Sequence, residues 1–457
     1  MASAGISTTP LTAGRISPVG AAVGRYENAM LAAFFFCLYT RDWLYPAAFK
    51  STFILYLGYA GVIVCLVLPV GFLAMGDYGR LLARSKAVLN GIFWATGAVA
   101  LVVLAEQFAP SAAHETPRPF HVILFLASYL WMLMGFSLAD RAERAHRLLS
   151  RTAFYLAILC VIAAFLRATG IELTLYCSFP GWQTRLVFLF PYAWYLTRWL
   201  LNRTDHDALA GLGASSLEIW GSLHKPFLFS AAIASLFILW SATRFGFRAM
   251  ARVAGIGAAA VAGVWVVDAT ITHGALFSEV RTFVFEKAFH EDRGGDLNKD
   301  WDELLAQFTG GRLELWELAA ERFQVSPWIG SGFEQTFLTS IPDEDCDEQN
   351  VEVGVLCHNG YLDLLLSVGI LGFLPLAAVV AWGMWRMRAT IGDPVIQRIQ
   401  IAVCGYLVAI AAFNLGGTSR VFIAGSLLPA FVFGIGLRLS ADRGAVADPC
   451  PVGASRG

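Results

Sequence analysis

Apolar runs of about the length that crosses a bilayer recur from one end of this chain to the other. A hydrocarbon core ~30 Å thick needs ~20 consecutive apolar residues in a helix. Eleven such runs lie near 27–46, 51–74, 88–107, 120–138, 152–167, 185–199, 226–242, 251–269, 358–384, 400–415 and 419–437. A weaker twelfth, "DALAGLGASSLEIWGS" at 207–222, carries Glu218. Inside lipid each span must satisfy its own backbone hydrogen bonds, so the expected fold is an all-α polytopic membrane protein. Composition excludes the soluble alternative, with 57% hydrophobic and 15% charged residues and a mean hydropathy of +0.60. A net charge of −1 leaves no footprint for nucleic acid. The opening stretch "MASAGISTTPLTAGRISPVG" lacks an early apolar core, so no cleavable signal is expected.

Positive charge decides the topology, because short cytoplasmic loops are enriched in Lys and Arg. With twelve spans and a cytoplasmic start, "GDYGRLLARSK", "DRAERAHRLLSR", "RWLLNRTDH", "RFGFRAMAR", "WRMRATIGDPVIQR" and "RLSADR" all fall inside. The short outside loops "YPAAFK", "EQFAPSAAHETPRP" and "ATGIELTLYCSFPGWQT" are poorer in these residues, and an eleven-span count breaks the alternation. The organisation is then a tail at 1–26, nine spans over 27–269, one large external loop at 270–357, three spans over 358–437 and a tail at 438–457.

The long loop contains two helical stretches, "NKDWDELLAQF" and "GRLELWELAAERFQ". In the second, Leu313, Trp316, Ala320 and Phe323 are expected on one stripe. Gly310-Gly311 precedes it and "SPWIGSGF" ends it, which puts Arg312 in a first helical turn. There the free N–H groups and a guanidinium fork suit phosphate oxygens, and pairing with a loop carboxylate is the alternative. The acidic stretch "IPDEDCDEQNVEVG" lacks the spacing and glycine of a calcium loop and reads as a solvated loop. Cys346 and Cys357, both external, would permit a disulfide in an oxidising compartment; two free thiols are the alternative. The other cysteines show no CxxC and no zinc spacing.

Polar groups collect at the outer ends of the spans. "GSLHKPF" places Ser222, His224 and Lys225 before a span, with Pro226 suited to its first turn. "NLGGTSRVF" supplies Asn414 and Arg420, and "GWQTRL" supplies Trp182 and Arg185. "LCHNGYLDLLLSVGILGF" puts His358 and Asn359 directly before an apolar run. Ionisable groups near membrane depth mark functional sites. Several cations beside one histidine suit a diphosphate with an imidazole proton acceptor. For Arg185 an interfacial anchor is the simpler reading, and for His358 alone a helix cap is the alternative.

"GRLELWELAAERFQVSPWIGSGFEQTF" followed by "CHNGYLDLLLSVGILGF" resembles the signature of the O-antigen ligase / Wzy-type polymerase superfamily, which includes exopolysaccharide polymerases. The shared elements are Gly311-Arg312, Trp316, Pro327 through Gly330 and Gly332, His358-Asn359 and Gly369 to Gly372, over about 305–385. The resemblance implies a membrane-embedded, GT-C-like, inverting glycosyltransferase of the inner membrane that needs no metal and no cofactor. Its donor would be a glycan on undecaprenyl diphosphate, and its acceptor a growing glycan or lipid A-core. By this match His358 is the general base towards the acceptor hydroxyl and Arg312 binds the diphosphate, with Asn359 and Trp316 supporting them. The family's mid-chain Ser-Arg or Ser-Lys pair reads here Ser222-Leu-His224-Lys225, so Lys225, supplemented by Arg420, is the candidate second cation. A metal-dependent membrane transferase would need paired acids in its first outer loop, where this chain has a lone Asp42. The Ser-x-His-Lys stretch favours a polymerase over a ligase. A flippase or transporter usually shows polar, Gly/Pro-broken helices at mid-membrane and an internal repeat; here the charges of interest sit at one face, no repeat is evident and the long loop carries the motif.

Overall fold

The structure is a computed structural model that describes residues 119–168, 186–221, 225–242, 312–331, 337–341, 351–355, 359–388, 393–416 and 427–444, with some helical positions between Ala60 and Leu101. The expected spans at 27–46 and 251–269, the tail at 1–26, residues 445–457 and all of 270–311 lie outside the described residues, as do Trp182, Arg185 and Asp42; residues 438–444 of the expected second tail are helical instead.

Helix α1 runs Pro119–Leu138, α2 Ala142–Ala168, α3 Leu189–Leu201 after a 3-10 turn at Leu186–Phe188, α4 His206–Gly221 and α5 Lys225–Ala242. Helix α6 is Arg312–Val325, β1 Phe337–Ile341, β2 Val351–Val355, α7 Gly360–Arg388, α8 Pro394–Gly416 and α9 Leu427–Gly444. Segments such as α1 and α5 are apolar on every face, which suits burial in a large bundle or lipid. Three stretches, Ala142–Phe165, Gly360–Arg388 and Pro394–Leu415, are long and apolar enough to cross a membrane; Ala127–Leu138, Leu186–Leu201, Pro226–Ala242 and Leu427–Ser440 are shorter apolar helices. The helical class therefore holds for the bundle. The segment read as an acidic loop adds a two-stranded antiparallel ribbon, in which Phe337 pairs with Val355 and Ile341 with Val351.

Some boundaries differ from the sequence expectation. "DRAERAHRLLSR" is not a loop before a span starting near 152. From Ala142 onward it is the first turns of α2, because Ala145, Leu148 and Leu149 recur at helical spacing and are buried. Arg144 pairs with Asp140 one turn back at 2.7 Å. The weak segment at 207–222 is indeed helical, as α4, and its Glu218 is fully buried. Glu218 lies close enough to Cys160 of α2 to act on it electrostatically, so the acid faces protein.

A tight turn joins α3 to α4. The Asn202 N–H donates to the Arg198 carbonyl (2.9 Å), and Asp205 Oδ1 accepts the Ala208 N–H (3.0 Å) as the cap of α4. Arg198 grips Asp205 Oδ2 through Nε and Nη2 at 3.0 and 2.7 Å. Burial alone would raise the Asp205 pKa, but the Ala208 N–H and Arg198 outweigh it and hold the carboxyl below its ordinary value. A depressed folded-state pKa adds stability above the unfolded value of ~4, which is lost as pH falls through the folded value. Asp205→Asn should therefore lower the melting temperature at pH 7 and flatten the loss of stability as pH falls below the unfolded value of ~4; an unchanged acid decline contradicts the assignment.

The core lies between α1, α2, α3, α5, α8 and α9. α1 and α9 meet backbone to backbone, so a Cβ added at Gly434 would strike the Met132 carbonyl. Trp131 meets Phe431 edge-on at 6.2 Å, and buried Arg438 lies 5.5 Å from the Phe136 ring centroid.

One end of the bundle gathers the arginines. The start of α8 meets the start of α2 through Arg398 Nη1 and His146 Nε2 (3.4 Å), and the end of α9 through Gln400 and Ser440 (3.4 Å). A shallow cleft brings Phe237 and Trp240 of α5 and Arg388 of α7 beside Gln397 and Cys404. Consequently α5 and α7 both run antiparallel to α8, and their N-termini belong to the opposite end.

Candidate functional site

At that opposite end, the site starts from the first turn of α7. Asn359 Oδ1 accepts the backbone N–H groups of Tyr361 (3.0 Å) and Leu362 (3.2 Å), and its carbonyl accepts that of Asp363 (2.9 Å). These bonds satisfy the donors that a helix start leaves open. Capping of α7 is thus done by Asn359. His358 itself lies outside the described residues.

Two contacts fix this start against α8. The Tyr361 hydroxyl donates to the Ala411 carbonyl at 2.9 Å. Gly360 is pressed on the side chain of Asn414, which is fully buried, and an added Cβ would collide with its Oδ1. Asn414 therefore lies beside the first turn of α7. The next segment, with Arg420, leaves α8 at Gly416 and lies outside the described residues.

Lys225 opens α5 with Pro226 beside it, as the proline's fixed φ requires of a first turn. Its backbone stands at the α7 end of the bundle, because Ile238 of α5 packs on Gly405 in the antiparallel α8. Thirteen residues of α5 rise ~20 Å from that contact and eleven of α8 rise ~17 Å, so the two helix ends are close to level. Ser222 and His224 lie outside the described residues.

Arg312 is the first residue of α6, where the sequence put it. The buried stripe is rotated from the expected one. Leu315 and Ala319 are buried together with Leu366 of α7, and Trp316, Phe323 and Leu362 pack around them. Ala320 is exposed. At about 100° per residue, a displacement of one position is enough to turn the face.

Sequence reasoning missed a break in α7. Gly369 has φ 60° and ψ −171°, a region essentially restricted to glycine. The turn after α6 is seated in that break. In an unbroken helix the Ile370 and Leu371 N–H groups would bond to the carbonyls of Leu366 and Ser367. Here they donate to the carbonyls of Pro327 (2.9 Å) and Trp328 (3.0 Å), while the Ser331 N–H donates to the freed Leu366 carbonyl (2.6 Å). Gly330, at φ 82°, lies so close that a Cβ would sit 2.6 Å from the Ser367 carbonyl; one at Gly369 would strike that of Trp328. The signal was present as "P-x-x-G-x-G" and Gly369, but nothing in the sequence paired the two.

From this clasp α6 and the first half of α7 run side by side in the same sense. Over 13 residues α6 extends ~20 Å back to Arg312, and the α7 half extends ~14 Å back to Gly360. The helix starts carrying Arg312, Asn359 and Lys225 therefore share one end of the bundle, away from Arg198, Arg388 and Arg398. Parallel helix starts also present their positive dipole ends to the same side.

Cys346 and Cys357 both lie outside the described residues. Cys346 falls in the connection between β1 and β2, and Cys357 two residues after β2. Among the described residues Cys160 and Cys404 are free and buried, and no group of His, Cys, Asp and Glu could hold a metal ion.

Residues 224–377 match a protein family model described as O-Antigen ligase. That stretch starts one residue before α5 and ends within α7, so it contains Lys225, Arg312, the clasp and Asn359. No curated protein matches the chain.

Proposed function

From the premise that residues 224–377 form an O-antigen ligase family domain, we propose that this membrane protein is a glycosyltransferase acting on a lipid-linked glycan. Its donor is a saccharide on undecaprenyl diphosphate, and its site faces the periplasm from the bacterial inner membrane. The observation that carries the reading is the convergence of the α5, α6 and α7 starts at one end of the bundle. The arginine-rich turns at the other end support a cytoplasmic placement there. Twelve spans and an external loop over 270–357 belong to the same proposal.

In the proposed reaction His358 accepts the proton of an acceptor hydroxyl. That oxygen attacks the anomeric carbon from the face opposite the diphosphate and inverts it. The bond from carbon to the diphosphate oxygen breaks, and undecaprenyl diphosphate leaves. Diphosphate is a good leaving group that needs charge stabilisation more than a proton. Arg312 supplies a fork at a helix N-terminus, and Lys225 and Arg420 add charge without a divalent ion. Asn359 holds the chain at His358 by capping α7. Ser222, His224 and Trp316 complete the surround.

We favour a polymerase that joins repeat units, on the Ser222-Leu-His224-Lys225 stretch. The second reading is a ligase that moves the finished glycan to lipid A-core, favoured by the description of the matching family. The size and lipid attachment of glycan in a strain lacking the gene separates them. Single capped units with long chains missing are the expected result. Long chains stranded on undecaprenyl diphosphate would make it a ligase, and an unchanged profile would overturn both.

A further inference from the structure

We propose that the Pro327–Ser331 turn, seated in the break of α7 at Gly369, is the positioning element of the transfer site. It fixes the distance between the start of α6 at Arg312 and the start of α7 at Asn359, the residue after His358 in sequence. The inference rests on the site reading above for the roles of Arg312 and His358, but the clasp itself rests on backbone geometry. An uninterrupted helix would need neither a glycine-only conformation nor borrowed hydrogen bonds. This chain breaks α7, then satisfies Ile370, Leu371 and Leu366 with backbone groups from the α6 turn. Strain that the surroundings hold in place in this way points to a use. Its effect is that the α6 turn is tied to both halves of α7, by Ser331 to Leu366 before the break and by Ile370 and Leu371 after it, so α6 cannot shift against either half without losing backbone hydrogen bonds. The Leu315, Ala319 and Leu366 cluster closes the same pair along its length. The far end of that pair is also fixed, by Asn359 at the cap and by Tyr361 on the Ala411 carbonyl. Transfer to an acceptor hydroxyl needs donor diphosphate and base at a set separation, and small misplacements cost rate steeply. Ile370, Ser331, Gly330 and Gly369 are therefore positioning residues.

Ile370→Pro is the cleanest probe. It deletes the N–H that meets the Pro327 carbonyl, yet proline suits the first turn of a helix, and the extended ψ of Gly369 suits the residue before proline. Ser331→Pro removes the bond to Leu366 from the other side. Both variants, purified in nanodiscs, are assayed with undecaprenyl-diphosphate-linked glycan extracted from a strain lacking the gene. Spin labels carried by an unnatural amino acid at exposed Glu317 of α6 and Leu415 of α8 report the position of α6. The expected result is kcat lowered on the order of 10²-fold per folded molecule, with the parent's narrow label distance broadened. Parental kcat, or a lowered kcat with an unchanged distance, overturns the proposal. Should neither variant accumulate, the parent decides alone, because a broad distance there also overturns it. Full transfer by His358→Ala and Arg312→Ala would instead sink the site reading, and the label distances would still judge the clasp.

Discussion

His358→Ala is expected to insert, fold and melt like the parent while losing glycan transfer by about 10²- to 10⁴-fold, the usual contribution of a positioned base. The stability half of this expectation comes from the cap. Asn359 supplies the hydrogen bonds that start α7, and Tyr361 and Gly360 fix that start against α8. None of these contacts uses the imidazole, so removing it leaves the helix start held. The activity half comes from the chemistry, since a sugar hydroxyl is a poor nucleophile until its proton has somewhere to go. The variant should also lose the acid limb that a histidine base imposes on the rate. Near-parental transfer, with that limb intact, would remove His358 from the mechanism. Asn359→Ala provides the contrast: it strips the cap and is expected to cost about 1 kcal/mol of stability.

Arg312 carries the second large effect. Arg312→Ala is expected to reduce kcat on the order of 10²- to 10³-fold, the range for loss of one donor to developing negative charge. Arg312→Lys should recover part of that loss, because a point charge replaces a planar fork. The residue opens α6, so the helix N–H groups and dipole remain in either variant and keep some affinity for an anion. Donor KM should therefore rise less than kcat falls. Full activity of Arg312→Lys would argue against a two-pronged contact with the diphosphate, and a loss confined to KM would make the residue a docking group.

Much of this was legible in the sequence because membrane helices advertise themselves by length and apolarity. The spans near 120–138, 185–199, 226–242 and 400–415 reappear as α1, α3, α5 and α8 with small changes at their ends. Arg312 and Pro226 fell in first turns as expected, because glycine before and proline after a helix boundary act locally. What failed was non-local. The stripe on α6 was displaced by a residue because its partner, Leu366, lies on the first half of α7 and could not be seen from α6 alone. Gly369 looked like part of an unbroken span, since a helix interrupted by a borrowed turn has the same hydropathy as one that is not. The ribbon at 337–355 was hidden by the acidic connection between its strands. Glu218 weakened the reading of α4 until its burial against α2 explained how a helix can carry an acid there.

The central claim is transfer from a diphosphate carrier by arginine and histidine. Its most direct test is product formation by purified protein in nanodiscs with EDTA present, given carrier-linked glycan from a strain lacking the gene. The expected result is longer glycan with undecaprenyl diphosphate released in equal amount, unaffected by added Mg²⁺ and lost in His358→Ala. Intact donor after incubation with folded parent protein, or release that depends on a divalent ion, would contradict the account.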